Sequence, residues 1–247
     1  MFKSLKIFLH NGKQYIPDIR AAKAPGVFRG RPVISTEKVD GEALKDVCPA
    51  GAISLSPVSI DLGRCLFCGE CEHCFPAKIH FTDDCHLATN VRERLIVREG
   101  EDKPIELDKS LIRPEIRKAF RNSLKLRQVS AGGDGSCEAE LNATGNVQFD
   151  MGRFGIEFAA SPRHADGVLV TGPVSANMAE ALQLTYDAVS EPKVIILDGT
   201  DAISGGMYAD SPDVDRSFIE NHEIDLYIPG NPAHPLTIIN GLLDLTR

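Results

Sequence analysis

Three cysteines are spaced by two residues, at Cys65, Cys68 and Cys71, and a fourth, Cys48, precedes a proline earlier in the chain. A C-x2-C-x2-C-x3-C-P run holds cubane iron–sulfur clusters in small bacterial electron carriers. When two clusters are present there, the cysteine before the proline ligates the other cluster. By that rule, an isolated Cys-Pro and one downstream triple supply four thiolates to a single cluster. The spacing therefore predicts one 4Fe-4S cluster on these four cysteines, which would carry electrons one at a time.

Zinc is the alternative metal for this region, because zinc also binds cysteine-rich sites. Such a site would use Cys74, Cys85 or His86 as additional ligands. The cluster interpretation needs neither Cys74 nor Cys85. Free cysteine often packs as a small hydrophobic side chain, so we expect both to be core thiols.

Composition favours a globular protein in a reducing compartment. The chain has 247 residues, 43% of them hydrophobic, which is enough for one large or two small domains. Six of the seven cysteines lie between Cys48 and Cys85, a density that suits a metal site better than a disulfide framework. No apolar run is long enough to span a bilayer, and the N-terminus does not resemble a secretory signal.

Charge is unevenly divided along the chain, which favours two domains with different neighbours. Residues 1–127 carry 22 basic and 17 acidic side chains, whereas residues 128–247 carry 5 basic and 18 acidic ones. The acidic second half argues against nucleic acid as a partner. The basic segment 1–34 is predicted to be either an amphipathic arm on a membrane or partner surface, or a solvated arm packed on the cysteine-rich domain.

The second half alternates apolar strands with helices. Strands are predicted at 126–129, 167–171, 193–198 and 224–228, and helices at 138–144, 177–189 and 235–245. Alternation of this kind predicts βαβ units and a mostly parallel sheet, whose sites lie in loops at the carboxyl ends of strands. Those loops are 131–137, 199–206 and 229–235. Between the halves, a strand is predicted at 94–98 and a helix from Pro114 to about Leu124.

Two regions resemble subunits of respiratory and hydrogen-converting complexes. Residues 47–81, with the preceding segments Tyr15–Asp18 and Pro25–Pro32, resemble the ferredoxin-like subunits of complex I and formate hydrogenlyase. Residues 123–247 resemble the small subunit of membrane-bound, energy-converting NiFe hydrogenases, which is homologous to the proximal-cluster subunit of complex I. The matching segments of this second region are Ser123–Arg127, Gly135–Glu140, Arg153–Ile156, Ser161–Asp166, Thr171–Val174, Glu191–Lys193, Ser204–Met207 and Ile228–Gly230.

The resemblance implies a second, proximal cluster site that this chain has altered. The family uses four cysteines there, and the matching positions are Asp134, Cys137, Asp201 and Asn231. Three readings stay open: loss of the cluster, a cluster with two aspartate ligands and a weak fourth, or a hard-cation or proton site. Because iron–sulfur clusters prefer thiolates to carboxylate and amide oxygens, we expect no proximal cluster.

Together these features predict an α/β protein. A ferredoxin-like α+β iron–sulfur domain should precede a flavodoxin-like α/β domain with a mostly parallel sheet. The predicted parts are a basic N-terminal arm at 1–34, the iron–sulfur domain at 35–86, a linker with a helix at 87–122, and the α/β domain at 123–247.

The resemblance implies a non-catalytic electron-transfer or scaffold subunit of a membrane-attached oxidoreductase complex. Its expected partners are a NiFe-hydrogenase-like large subunit, which would carry the chemistry, and membrane-embedded subunits. A soluble ferredoxin or another iron–sulfur subunit is a further candidate. The expected location is cytoplasmic, on the inner face of the cytoplasmic membrane. The alternative is a structural coupling subunit with a carboxylate-lined proton or cation site and no essential redox role.

Overall fold

The computed structural model describes residues 2–24 and 26–247. Met1 and Pro25, both in the predicted N-terminal arm, lie outside the described residues, so the segment Pro25–Pro32 is described only from Gly26. In chain order the helices and strands are α1 Phe2–Asn11, β1 Pro32–Ile34, α2 Gly41–Asp46, β2 Ile53–Ser54, β3 Ser59–Asp61, α3 Glu70–Cys74, β4 Ile79–Phe81, β5 Ile96–Arg98, α4 Pro114–Phe120, β6 Leu124–Ser130, α5 Ser136–Ala143, β7 Ile156–Phe158, β8 Gly167–Thr171, α6 Ala176–Asp187, β9 Val194–Asp198, α7 Thr200–Ser204, α8 Ser217–Asn221, β10 Leu226–Ile228 and α9 Pro235–Thr246.

The sheet of the C-terminal half is parallel throughout and runs β10-β9-β8-β6-β7. Read from the β7 edge, the strands of this half are arranged second, first, third, fourth, fifth, which is the flavodoxin-like order of doubly wound sheets. Every residue of β8 and β9 is buried, as expected for strands covered on both faces. The prediction of an α/β domain with a mostly parallel sheet is confirmed.

Two hydrophobic cores cover the two faces of this sheet. On one face, Leu126, Leu169 and Ile196 pack with residues of α4, α5 and α9. On the other face, Val170 and Leu197 belong to a core that also contains residues of α6 and of the cysteine-rich half. The region of Cys65 and Cys71 therefore shares the core opposite α9, whereas Ile19, Ala24 and Cys85 belong to the core that contains α9.

The cysteine-rich half is built on small antiparallel sheets. β1 pairs with β4, and β3 lies between β2 and β5. α2 is capped by Asp40, whose carboxylate accepts a hydrogen bond from Ala43 N. α3 begins after Gly69, and the Cys65–Cys71 loop runs into this helix. These two short helices therefore position the turns that carry the predicted ligands.

Two predicted elements differ in extent from the observed ones. The helix predicted to reach about Leu124 ends at Phe120, because Leu124 already pairs with Ile156 in the parallel sheet. Pairing with a neighbouring strand overrides the local helical pattern there. The strand predicted at 94–98 is shorter, because residues 92–95 form a 3-10 turn that buries Leu95. β5 then pairs with β3 from Ile96 onwards.

α1 stands apart from both cores. The side chains of residues 3–11 are exposed, and Phe8 and Leu9 are 71% and 69% exposed. Farther along the predicted arm, Ile19 and Ala24 are buried in the core that contains α9. In the part of the chain that the structure describes, no helix is both long and apolar enough to cross a membrane.

Candidate metal centre

The four cysteines predicted as cluster ligands line one pocket. Cys48 follows α2, Cys65 and Cys68 lie in the loop before α3, and Cys71 lies in the first turn of α3. Cys65 and Cys71 are buried, Cys48 is half-buried and Cys68 is exposed. The remaining lining residues are apolar: Val47, Pro49, Ala50, Ala52, Ile53, Ile60, Leu66, Gly69 and Phe81. The fold thus gathers four soft sulfur donors in an apolar wall.

The loop before α3 is folded tightly by left-handed backbone. Phe67 has a φ of 52° and Gly69 a φ of 81°. A Cβ on Gly69 would collide with the guanidinium of Arg29, whose Nη1 donates to Phe67 O at 3.3 Å. Arg29 therefore covers the loop, and glycine at position 69 meets both the steric and the backbone requirement.

Backbone N–H groups point at two of the sulfur atoms. Ala52 N donates to Cys48 Sγ and Phe67 N donates to Cys65 Sγ, both at 3.3 Å. Hydrogen bonds of this kind tune the reduction potential of a bound cluster. Burial raises the pKa of Cys65 to about 12 and that of Cys71 to about 11, and the neighbouring thiols add to both effects. Metal binding must therefore displace protons from these thiols.

The donor set fits an iron–sulfur cluster, because four cysteines are the usual ligands of a cubane. The zinc ligands considered from the sequence do not line the pocket. Cys74 is exposed, Cys85 is buried in the core that contains α9, and His86 Nδ1 is hydrogen-bonded to Asp84 at 3.0 Å. Among the described residues, no three His, Cys, Asp or Glu side chains are arranged around the position of a single metal ion.

The two cysteines that are not needed as ligands differ from each other. Cys85 is 1% exposed, which confirms the prediction of a core thiol, and burial raises its pKa to about 11. The same prediction for Cys74 is wrong, because that side chain is exposed. Cys71 is the buried residue of α3, and Cys74 lies at the end of this short helix, beyond the part that packs in the core.

The four positions that match the family's proximal ligands, of which Cys137 alone is still a cysteine, lie in three segments that meet at the carboxyl edge of the parallel sheet. The second segment, predicted as a loop at 199–206, contains the short helix α7. Thr200 N donates to Gly230 O at 2.8 Å, which ties the second loop to the third. Cys137 is buried in the first turn of α5, and a Cβ on Gly199 would lie 2.5 Å from its Sγ. Asn231 follows Gly230 and is half-buried. The three loops thus converge around Cys137.

The two aspartates at altered positions are held differently. Asp134 is exposed, and its Oδ1 accepts hydrogen bonds from Ser136 Oγ at 2.6 Å and Ser136 N at 2.9 Å, which lower its pKa. Asp201 is half-buried in the first turn of α7, where burial, followed by the charge of Asp134, raises its pKa. The Asp134 carboxylate is therefore hydrogen-bonded to the first residue of α5.

A buried carboxyl group that the sequence pattern did not single out lies beside these loops. Asp198 ends β9, is fully buried, and neither carboxylate oxygen has a hydrogen-bond partner in the described structure. Burial, followed by the charges of Glu138 and Glu140, raises its pKa well above the ordinary value. The signal in the sequence was an aspartate that closes an otherwise apolar strand.

Hydrogen bonds connect the cysteine pocket to the altered loops. Thr200 Oγ1 donates to Cys65 O at 2.8 Å and also lies 3.1 Å from Gly230 O. The partly buried guanidinium of Arg216 donates to Ala202 O and Ile203 O, each at 2.8 Å, which fixes α7. The loop that carries the predicted cluster ligands therefore rests on a loop that is itself held rigidly.

Comparison with known proteins places the C-terminal half of the chain in a known family. The family profile described as "NADH ubiquinone oxidoreductase, 20 Kd subunit" matches residues 135–245. A relative from Pyrococcus furiosus, "Probable membrane-bound hydrogenase subunit mbhJ", is 33% identical over 115 residues, which cover 47% of this chain and 69% of the relative. The chain belongs to the family of the 20 kDa subunit of NADH ubiquinone oxidoreductase. The family match covers α5 and the elements from β7 to α9, whereas β6 and the four-cysteine pocket precede it in the chain.

Other relatives match over a similar extent. An NADH-quinone oxidoreductase subunit of Heliobacterium modesticaldum is 42% identical over 114 residues, which cover 44% of this chain and 63% of the relative. The matched stretch thus spans less than two thirds of that relative. A solved chain from an archaeal respiratory complex, the membrane-bound sulfane sulfur reductase, is 28% identical with a TM-score of 0.47, and the match covers 54% of this chain and 73% of that chain.

Proposed function

We propose that this chain is an iron–sulfur electron-transfer subunit that holds one 4Fe-4S cluster on Cys48, Cys65, Cys68 and Cys71. The observation that carries the proposal is that these four thiols line a single apolar pocket. A bound cluster would supply a centre that gains and loses one electron. The chain's own part is to hold the four sulfur atoms, to donate N–H groups to Cys48 Sγ and Cys65 Sγ, and to exclude water with the apolar wall.

We also propose that the altered loops hold no second cluster. Cys137 is the one thiol at the four positions that match the family's proximal ligands. The carboxylate of Asp134 already accepts two hydrogen bonds from Ser136. Carboxylate and amide oxygens are poor substitutes for thiolates on soft iron–sulfur centres. Electron transfer through the family's proximal position is therefore replaced or lost, and the catalytic chemistry belongs to a partner.

The relatives support a membrane-attached oxidoreductase complex as the setting. Their names describe subunits of an NADH-quinone oxidoreductase and of a membrane-bound hydrogenase. We propose that this chain docks with a NiFe-hydrogenase-like large subunit and with membrane-embedded subunits. A soluble ferredoxin or another iron–sulfur subunit would exchange electrons with it, on the cytoplasmic face of the membrane. The arm 1–34, the iron–sulfur domain 35–86, the linker 87–122 and the α/β domain 123–247 are the proposed parts.

The exposed helix α1 supports this location. Leu5, Phe8 and Leu9 are each more than half exposed, and Lys3 and Lys6 lie on the same helix. Basic amphipathic helices of this kind bind at the interface between lipid headgroups and acyl chains. We propose that α1 contacts the membrane surface beside the membrane-embedded subunits.

The proposal is tested with a serine substitution at a ligand and at a matched cysteine outside the pocket. Cys65→Ser removes a buried ligand, so the chain purified without oxygen should lose most of its iron and its low-temperature EPR signal. Cys74→Ser changes an exposed cysteine of the same region that does not line the pocket, and this variant should keep both.

The outcome of this comparison decides between the electron-transfer and the structural functions. A Cys65→Ser protein that keeps its iron and full electron flow in the assembled complex would contradict the proposed ligand set. Zinc in place of iron, with no redox signal in the unmodified protein, would leave only the structural function.

A further inference from the structure

We propose that Asp198 forms a buried proton-binding site in the α/β half, where the three altered loops meet. The ligand is a single proton, held on a fully buried carboxyl group whose two oxygens have no hydrogen-bond partner in the described structure. The site goes beyond the proposed electron-transfer function, because it uses none of the four cluster ligands.

A row of polar side chains crosses the carboxyl edge of the sheet. Ser130 of β6 pairs with Thr171 of β8, and Thr171 pairs with Asp198 of β9. Residues paired in register on neighbouring strands point to the same face, so the two hydroxyls and the carboxyl stand side by side. Glu138 reaches this row from α5 and accepts hydrogen bonds from Ser130 Oγ at 2.5 Å and Thr171 Oγ1 at 2.6 Å. In the described structure, Asp198 is left without such a donor.

Hydrogen bonding makes the pKa values of the two carboxyl groups of this row differ. Although burial raises the pKa of Glu138, the hydrogen bonds from Ser130 and Thr171 hold it below the ordinary value. Asp198 is buried but accepts no such hydrogen bonds, so burial raises its pKa. The charge of Glu138 raises it further, because it disfavours a second negative charge nearby. The pair therefore settles as one ionised and one protonated group, an arrangement typical of functional acid pairs.

The groups that face Asp198 from the packed elements are acidic or uncharged. α5 contributes Glu138, Glu140 and the thiol of Cys137. The cross-strand neighbour on β10 is Ile228. A buried carboxylate with only acidic neighbours needs a cation or a proton to be stable.

The loops and α9 supply no counter-charge to this group within the described residues. Asp201 and Asp134 add two further carboxyl groups on the adjoining loops. His234, at the start of α9, accepts a hydrogen bond from Leu236 N at Nδ1, and burial lowers its pKa. A proton needs only this one carboxyl group, whereas a hard cation needs several oxygen ligands around one position.

Infrared difference spectra between the unmodified full chain and each variant, all purified anaerobically, test the proposal. A protonated carboxylic acid has a C=O band that is separate from carboxylate bands. We expect such a band at neutral pH in the unmodified protein and its loss in Asp198→Asn. The matched control Asp213→Asn changes an exposed carboxyl and should keep the band.

A second variant keeps the test decisive if Asp198→Asn does not fold. Glu138→Gln removes the neighbouring charge, so the band of Asp198 should disappear at a lower pH than in the unmodified protein. The absence of any carboxylic acid band at neutral pH, or a band that survives Asp198→Asn, would overturn the proposal. So would stabilisation by added Mg²⁺, Ca²⁺ or Zn²⁺ that Asp198→Asn abolishes. Iron is counted on the same samples, so failure of the cluster proposal is recognised separately.

Discussion

At the scale of single residues, Asp198 works against the stability of the fold. An aspartate in an unfolded chain has a pKa of about 3.9. Burial raises the pKa of Asp198 in the folded protein well above that value. As the pH rises past about 4, the unfolded chain therefore releases a proton that the folded protein keeps. The contribution of Asp198 to the free energy of unfolding becomes more unfavourable until the pH passes its folded-state pKa.

Asp198→Asn should for this reason raise thermal stability at pH 7. The gain is about 1.4 kcal/mol for each pH unit above the pKa of the unfolded chain. It stops growing once the pH passes the pKa of Asp198 in the folded protein. The gain should shrink towards zero near pH 4. Thermal unfolding of both proteins at matched scan rates, at pH 4 to 8, measures the effect. A variant that is less stable than the unmodified protein at pH 7 but not at pH 4 would show that Asp198 is ionised and stabilised in the folded state.

At the scale of elements, the loop between β9 and α7 is shaped around Cys137. Gly199 has a φ of 91° and a ψ of 157°, a region of backbone space that is essentially restricted to glycine. A Cβ at this position would also press on the buried Cys137 Sγ. Gly135 likewise has a positive φ of 86°, but a Cβ there would meet no atom within 4 Å.

Gly199→Ala should therefore destabilise the protein by more than Gly135→Ala. Backbone strain alone costs about 1–3 kcal/mol, and the contact with the sulfur adds to it at position 199. Cys137→Ala in the Gly199→Ala background should recover part of the loss, because the two sites touch. Chemical denaturation of the single and double variants measures this coupling, and strictly additive effects would contradict the observed packing.

The elements also show which parts of the site the sequence could predict. The ligand spacing is local, because Cys65, Cys68 and Cys71 lie in one short segment, and these three cysteines line one pocket with Cys48. The meeting of the three altered loops at one edge of the sheet was predictable, because the carboxyl ends of parallel strands share one edge. The burial of Asp198 depends on α5 covering the end of β9, and the exposure of Cys74 depends on where α3 leaves the core. Neither packing relation is visible in spacing or periodicity.

At the scale of the whole molecule, the two halves are joined where electrons would have to pass. Thr200 of the altered loops donates to Cys65 O, and a bridge between Thr89 and Tyr227 links the segment after the cysteine-rich region to β10. The proposed cluster would therefore lie directly against the altered proximal position. Under the proposed function, the occupant of that position would determine whether electrons continue through this chain or leave it at the cluster.

The most direct test of the proposed single cluster is the number of irons per chain in anaerobically purified protein, combined with low-temperature EPR of the reduced state. A single four-iron cluster predicts about four irons and one EPR signal, which Cys65→Ser removes. About eight irons per chain, with a second signal that Cys137→Ala removes, would contradict the proposed loss of the proximal cluster.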